Sequence, residues 1–406
     1  MSDALLSLNA GSSSLKFALF ERSGIDGLSC IASGKIEGIG LIPHLIARDQ
    51  RGAVIEERCW DEAGCAGLSH EAFLGELLDW ADGHLGGDRL IAIGHRVVHG
   101  GVHYAEPVVV GPAILETLDT LCPLAPQHQP HNLSAIRAAM NVRPGLPQIA
   151  CFDTAFHHGM PAVATRFALP RALEAEGIRR YGFHGLSYEY ITRQIARIEP
   201  RLARGRLIVA HLGNGASLCA INAGHSVETT MGFTALDGLV MGTRCGTIDP
   251  GVLLYLQQQK GMSATELEDL LYNKSGLLGI SGLSSDMRDL LAKATPDADA
   301  AIQSFVYRIV REVGALSSVL GGLDGLVFTA GIGENSAEIR RRVACSLSWL
   351  GVELDETANS TGNPVISTAA SRVIVRVIPT DEERMIAMHA DSLVRAFQDN
   401  RATGDQ

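Results

Sequence analysis

Two stretches of this chain, half its length apart, carry the same pattern, and any fold must accommodate both. In the first, an apolar run from Ala4 to Leu8 meets a turn of small residues, Asn9-Ala10-Gly11-Ser12-Ser13-Ser14, and a second run, Leu15 to Phe20, leaves it with Lys16 near its start. In the other, Leu207 to Leu212 leads into Gly213-Asn214-Gly215, and Ala216 to Ile221 leads out. Each reads as strand, tight turn, strand. Glycine lets a ligand approach the backbone, serines supply hydroxyl and N–H donors, and Lys16 adds a charge that tracks phosphate. Ser/Gly turns are also ordinary hairpin chemistry. The repetition carries more: Asn214, Gly215 and Ser217 repeat Asn9, Gly11 and Ser14, the mark of a duplicated unit in which two lobes face one nucleotide. Neither G-x-x-x-x-G-K-[ST] nor G-x-G-x-x-G occurs, so P-loop and Rossmann architectures have no support.

Composition narrows the class. At 406 residues and 46% apolar, the chain can bury a core in each of two or three domains. A net charge of −11 and the absence of any Lys/Arg block argue against a nucleic-acid surface, so anionic substrates must be captured by a few placed arginines. With no signal-like start and no apolar run near the ~18 residues of a membrane span, a soluble cytoplasmic protein is expected. The eight cysteines form no C-x-x-C pair and no zinc spacing with histidine, and none is assigned a catalytic role.

Taken in order, the chain opens with strands punctuated by glycines up to about residue 48, then a helix from Glu71 to Leu85. A buried strand, Leu90 to Gly94, runs into His95-Arg96-Val97-Val98-His99-Gly100-Gly101, where an arginine and two histidines suit an anion site at the strand's end. Pro112 and Pro130 open helices through Leu121 and Met140, and the proline-rich loop between them carries Gln127 and His128. The strand Ile149 to Phe152 ends at Asp153, where α/β folds usually meet metals, waters and substrates. Phe183-His184 precedes a helix, Leu186 to Ile198, whose positive end would lie near the imidazole. A glycine-spaced loop carries Arg244. Ser263 to Glu266 is a capping box opening a helix to Tyr272, and a long helix runs from about Asp297 to Leu320. The strand Leu326 to Thr329 leads into Ala330-Gly331-Ile332-Gly333-Glu334-Asn335, which opens a helix through Arg342 and suits adenosine. The last strand, Arg372 to Ile378, is followed by acidic residues including Glu382, which either favour a helix start or hold a metal-bound water.

These segments in this order resemble the acetate kinases, short-chain carboxylate kinases of the actin and sugar-kinase superfold. The resemblance runs from Asn9 to Glu383 and rests on Asn9 to Phe17, Gly94 to Gly101, Phe152 to His157, Arg179 to Gly185, His211 to Gly215, Gly242 to Arg244 and Gly331 to Asn335. It implies an α/β protein of two lobes with duplicated βββαβαβα ribonuclease-H-like cores, in the actin-like ATPase superfold. The implied lobes are 1–152, with the carboxylate side and first hairpin, and 153–384, with the nucleotide; a helix over 385–406 returns to the first lobe. The implied reaction is magnesium-dependent, reversible transfer from ATP to acetate, giving acetyl phosphate and ADP, with manganese able to replace magnesium and a homodimer as the assembly. By resemblance, Asn9 and Glu382 hold the metal, through waters. Lys16, His211, Leu212, Gly213, Asn214 and Gly215 contact phosphates, while Asp286, Met287 and Arg288 line the nucleoside pocket with Gly331, Ile332, Gly333, Glu334 and Asn335. Arg96 binds the carboxylate, and Asp153, His184 and Arg244 surround the transferring phosphoryl group.

Elementary chemistry supports such roles. Phosphoryl transfer passes through a loose transition state with charge on three equatorial oxygens, so positioning and neutralisation are the main tasks. Arginine's planar fork pairs with both carboxylate and phosphoryl oxygens. A carboxylate nucleophile is already ionised at neutral pH, so Asp153 is expected to orient Arg96 or a metal-bound water and not to act as a base. The chain departs from the family pattern at Gln127, Ala235 and Tyr188, where the family has leucine, proline and a second histidine. The first two adjoin the small apolar pocket that, by resemblance, holds the methyl end of acetate together with Val98, His128 and Phe183. Propionate or butyrate kinase is therefore the first rival reading, and an actin-like nucleotide-dependent scaffold, which needs no Arg96/His184/Arg244 set, is the remote one.

Overall fold

Apolar residues on successive positions of one strand require cover on both faces, and the first sheet is built that way. The computed structural model describes residues 3–11, 14–23, 27–39, 42–60, 70–85 and 87–404. It divides into two compact units, Met1–Ala155 with Asp381–Gln406, and Phe156–Thr380. In the first unit, β1 (Asp3–Ala10), β2 (Ser14–Ser23), β3 (Gly27–Glu37), β4 (His44–Asp49), β5 (Val54–Cys59), β6 (Arg89–Val97), β7 (Val108–Val109) and β8 (Gln148–Phe152) form one sheet ordered β5-β4-β3-β2-β1-β6-β8-β7. Leu6, Leu8, Phe17 and Leu19 pack on one face with Phe73, Leu77 and Ala139 from the helices His70–His84 and Gln129–Val142. Ala18 and Phe20 pack on the other face with Ala387 of the helix Glu382–Gly404.

The second unit carries β9 (Arg206–Leu212), β10 (Ala216–Asn222), β11 (His225–Thr229), β12 (Gly325–Thr329) and β13 (Ile374–Val377), ordered β11-β10-β9-β12-β13. Its first three strands are antiparallel and its last two run parallel to β9 and to each other. The central strands β3-β2-β1-β6-β8 of the first sheet have the same order and directions. The duplication expected from the two hairpins, with the ribonuclease-H-like core that the resemblance implies, is present in both units.

Several local expectations are corrected. β6 continues through His95, Arg96 and Val97, because β8 pairs alongside it as far as Val97 and Phe152. The turn after β12 does not open one helix: Ser336 is extended and its side chain caps Ile339 N, separating Ala330–Asn335 from Ala337–Ser346. Asp153 and Glu382, which the expected boundaries put in the second lobe, group with the first unit. Asp153 N donates to Val97 O at 3.0 Å, so the chain stays tied to the first sheet one residue past β8.

Candidate active site

Alternation along β6 sends neighbouring side chains to opposite faces, and this separates Arg96 from His95. His95 is buried with its Nε2 2.7 Å from Gln148 Oε1, and burial pulls it down to about 4. His99 is also buried and pulled down to about 4, and its Nδ1 accepts from Gly101 N at 2.9 Å. Both are neutral structural groups, so the anticipated cluster of one arginine and two histidines reduces to Arg96.

Arg96 is held side-on by Asp153, with Nε 3.2 and 3.0 Å from the two carboxylate oxygens and Nη2 2.5 Å from Oδ2. Its Nη1 donates to Asn9 Oδ1 at 3.2 Å. Burial works against the guanidinium charge, but Asp153 and Glu382 outweigh it and raise the pKa, so Arg96 is always charged. Glu382, at the first residue of its helix, is pushed up to about 7 by desolvation and by Asp153 and Glu383, beyond what Arg96 and Lys16 relieve. Lys16 is exposed on β2, paired in register with Asn9. Val98 is buried, and Gln127 and His128 are half-buried just before the helix Gln129–Val142. Sequence reading missed Asn132 on that helix. Its Oδ1 accepts from Val98 N at 3.0 Å and its Nδ2 donates to Ala10 O at 2.6 Å, clamping the first hairpin to the end of β6. The available signal was a polar side chain on the apolar face of the helix.

In the second unit the expected residues gather around the second hairpin. His184 is left-handed (φ 60°) at the start of the helix Gly185–Ile198, and a non-glycine residue in that region is strained. Its ring stacks on His211 at 4.1 Å and its Nδ1 lies 2.8 Å from Ser217 Oγ. His211 Nδ1 lies 2.9 Å from Ser187 Oγ. Arg244 Nη1 donates to Ala235 O at 2.7 Å. A Cβ placed on Gly215 would stand 2.6 Å from Arg244 Nη2 and 3.4 Å from His184 Nε2, so hairpin, guanidinium and imidazole converge. Asn214 is exposed at the tip; its carbonyl accepts from Gly242 N at 3.0 Å, and a Cβ on Gly242 would collide with its side chain. Gly213 N donates to Gly215 O at 3.1 Å, and Leu212 is buried, leaving only its backbone for a ligand. Ser217, read from the sequence as a counterpart of Ser14, is fully buried and turned inward.

The nucleoside candidates lie close by. Asp286 caps the helix Met287–Lys293, accepting from Arg288 N at 2.8 Å and pairing with its guanidinium at 2.5 Å. Met287 is core and Arg288 is exposed. Ala330 is left-handed (φ 64°), and Glu334 Oε1 fixes that turn by accepting from Ala330 N at 2.7 Å and Thr380 N at 3.0 Å. Asn335 Nδ2 donates to Gly331 O at 2.9 Å, Ile332 is half-buried, and Gly333 packs near Ala210 O of β9. Phe183 is buried, and its carbonyl accepts from His157 Nε2 at 3.0 Å. Ser226 lies 2.8 Å from His157 Nδ1, and burial pulls His157 down to about 4. Among the described residues no three His, Cys, Asp or Glu side chains gather as a metal site.

Two ribonuclease-H-like cores, each with a small-residue hairpin beside a charged arginine, define an α/β protein of the actin-like ATPase superfold. The chain belongs to the acetokinase family, whose model matches residues 4–388. It is 54% identical over 395 residues to an acetate kinase of Rhodopseudomonas palustris, covering 96% of this chain and 98% of that one. An acetate kinase of Methylocella silvestris is 53% identical over 399 residues, covering 97% of this chain and 98% of that one. Among solved structures, a propionate kinase from Francisella tularensis superposes with TM-score 0.87 at 38% identity, covering 95% and 98% of the two chains. Porphyromonas gingivalis acetate kinase does so with TM-score 0.83 at 36% identity, covering 97% and 99%. The protein is an enzyme, a kinase of this family with ATP as a substrate.

Proposed function

We propose that the protein catalyses reversible, magnesium-dependent transfer of the γ-phosphoryl group of ATP to acetate, by direct in-line attack of the carboxylate. The observation that carries the reading is the hold on Arg96. Asp153 and Asn9 occupy three of its five N–H donors and leave two for an acidic substrate, so its orientation is set before the substrate arrives. Asp153 is committed to that guanidinium, consistent with an orienting role and with a nucleophile that has no proton to lose. In the second unit Arg244 and His184 take the transferring oxygens, and the backbone of His211 to Gly215 takes the phosphates. Asp286 to Arg288 and Gly331 to Asn335 flank the nucleoside.

The residues present suit magnesium. Glu382 is a crowded carboxyl whose ionised form a cation would stabilise, and Asn9 Oδ1 offers a neutral oxygen nearby in the first unit's charge cluster. So few protein donors match an ion that keeps most of its waters and substrate oxygens. Bound there, the ion would neutralise phosphate charge, and manganese has compatible ligand chemistry.

Ala235 and Gln127, smaller and more polar than the family pattern, favour a second reading in which propionate is also used, in keeping with the likeness to a propionate kinase. The test is ADP release from MgATP with acetate, propionate, butyrate or glycerol, with hydroxylamine present to trap acyl phosphate. Acetate is expected to lead. Inactivity with acetate beside good rates with a longer acid would reverse the order, and acid-independent ATP hydrolysis would overturn the assignment.

A homodimer is part of the proposal. The helix Pro250–Lys260 buries none of its residues, although Leu254 and Tyr255 are 54% and 53% exposed, an apolar face suited to a second copy. A monomeric mass by light scattering would contradict it. A cytoplasmic location accompanies the use of ATP, and among the described residues no helix is long and apolar enough to cross a membrane.

A further inference from the structure

The donor behaviour of His184 depends on which ring nitrogen holds its proton, and the surrounding hydroxyls decide that. Ser217 Oγ has two polar partners among the described residues, His184 Nδ1 at 2.8 Å and Tyr188 OH at 2.5 Å. Tyr188 is fully buried on the first turns of the helix Gly185–Ile198, and its hydroxyl has Ser217 as its one hydrogen-bonding partner among the described residues.

We propose that Tyr188 and Ser217 are positioning residues that fix neutral His184 in the tautomer with its proton on Nε2. The inference rests on reading His184 as a donor to the transferring phosphoryl group. Its logic is a count of protons. A buried phenol with one neighbour satisfies its O–H only by donating to Ser217. Ser217 then has one proton to give, and His184 Nδ1 is the remaining acceptor. Nδ1 therefore carries no hydrogen, and Nε2, the nitrogen that faces Gly215 beside Arg244 Nη2, carries it. The opposite arrangement, with Nδ1–H donating to Ser217, leaves either the serine or the tyrosine hydroxyl buried without an acceptor. Burial also raises the Tyr188 pKa well above its ordinary value, which keeps the phenol protonated and the relay directed. A histidine at 188, as in the family pattern, has a ring nitrogen that can accept from Ser217, so direction is set in this chain by the tyrosine.

The experiment uses the full chain labelled with ¹⁵N-histidine, with the His184 ring signals assigned by their loss in His184→Gln. In the wild type the expected pattern is an acceptor-type Nδ1 and a protonated Nε2. Ser217→Thr, which keeps a hydroxyl, should preserve that pattern and the turnover. Ser217→Ala should give a mixed tautomer and lower kcat by about tenfold, the worth of one hydrogen bond, with KM for the acid unchanged. Tyr188→His should also mix the tautomers. A wild-type ring protonated at Nδ1, or an unchanged ring pattern in Ser217→Ala, would overturn the inference. Full turnover in His184→Gln would instead sink the reading of His184 on which it rests.

Discussion

The two hairpins share a pattern in sequence but not an environment. In the first, Gly11 N closes the turn on Ser14 O at 2.7 Å, and among the described residues a Cβ on Gly11 would meet the rotatable Ser14 hydroxyl at 3.1 Å and the Ser14 carbonyl oxygen at an ordinary 3.6 Å. In the second, the glycine tip is walled by Arg244, His184 and the Gly242 loop, and a Cβ on Gly215 or Gly242 would strike a functional group outright. The first bend is fastened through its strands, by Asn132 on Ala10 and Arg96 on Asn9. A duplicated element thus became two instruments. One is a strand-held loop beside an ion pair, which the proposed function assigns to the acid, and the other is a tip packed against a guanidinium and an imidazole, which it assigns to phosphate oxygens.

The largest effect that could break this contrast is at the arginines. Arg96→Ala should lower kcat/KM for the acid by roughly 10²–10³-fold, and should also destabilise the first unit because Asp153 is left buried and unpaired. Asp153→Asn should lose activity without recovery at high pH or with added base; recovery would make Asp153 a base and refute its orienting role. Gly215→Ala should then cost up to about 10²-fold in kcat by displacing Arg244, whereas Gly11→Ala should stay within about threefold. Equal losses at the two glycines would erase the distinction.

Stability against pH probes the buried polar groups of both units. His95, His99 and His157 lie at about 4 in the fold against 6.5 for an ordinary histidine, so between those values the unfolded chain binds protons that the folded one does not. Stability should fall as pH drops from 6.5 towards 4, by on the order of 3 kcal/mol per histidine, and these groups should have no effect above that window. Glu382 has the opposite sign: raised to about 7 from 4.5, it costs stability as pH rises through that interval, and magnesium should offset the loss. Denaturant midpoints at several pH values, with and without magnesium, measure both. Acid selectivity is the remaining readout: Ala235→Pro should change the acetate-to-propionate ratio of kcat/KM by roughly tenfold or less.

What the sequence determined by itself was local. The two strands flanking Gly11 could be read from the sequence, with Ser12 and Ser13 between them outside the described residues, and strand, turn and strand could be read again at Leu207, because both depend on neighbours along the chain; the capping box at Ser263 and Glu266 could be read for the same reason. Family motifs then brought Arg96, His184 and Arg244 to notice. Tertiary structure decided which polar groups face a ligand and which are spent on packing, because burial and partners come from residues far apart in the chain. His95 and His99 looked like companions of Arg96 until the alternation of β6 and Gln148 turned His95 inward and burial past the end of that strand, with Gly101 N on its Nδ1, took up His99. Ser217 looked like a phosphate donor until Tyr188 and His184 claimed its hydroxyl. Asp153 became the anchor of Arg96 only when the pairing of β6 and β8 set them side by side, since an ion pair needs a geometry that sequence order does not contain.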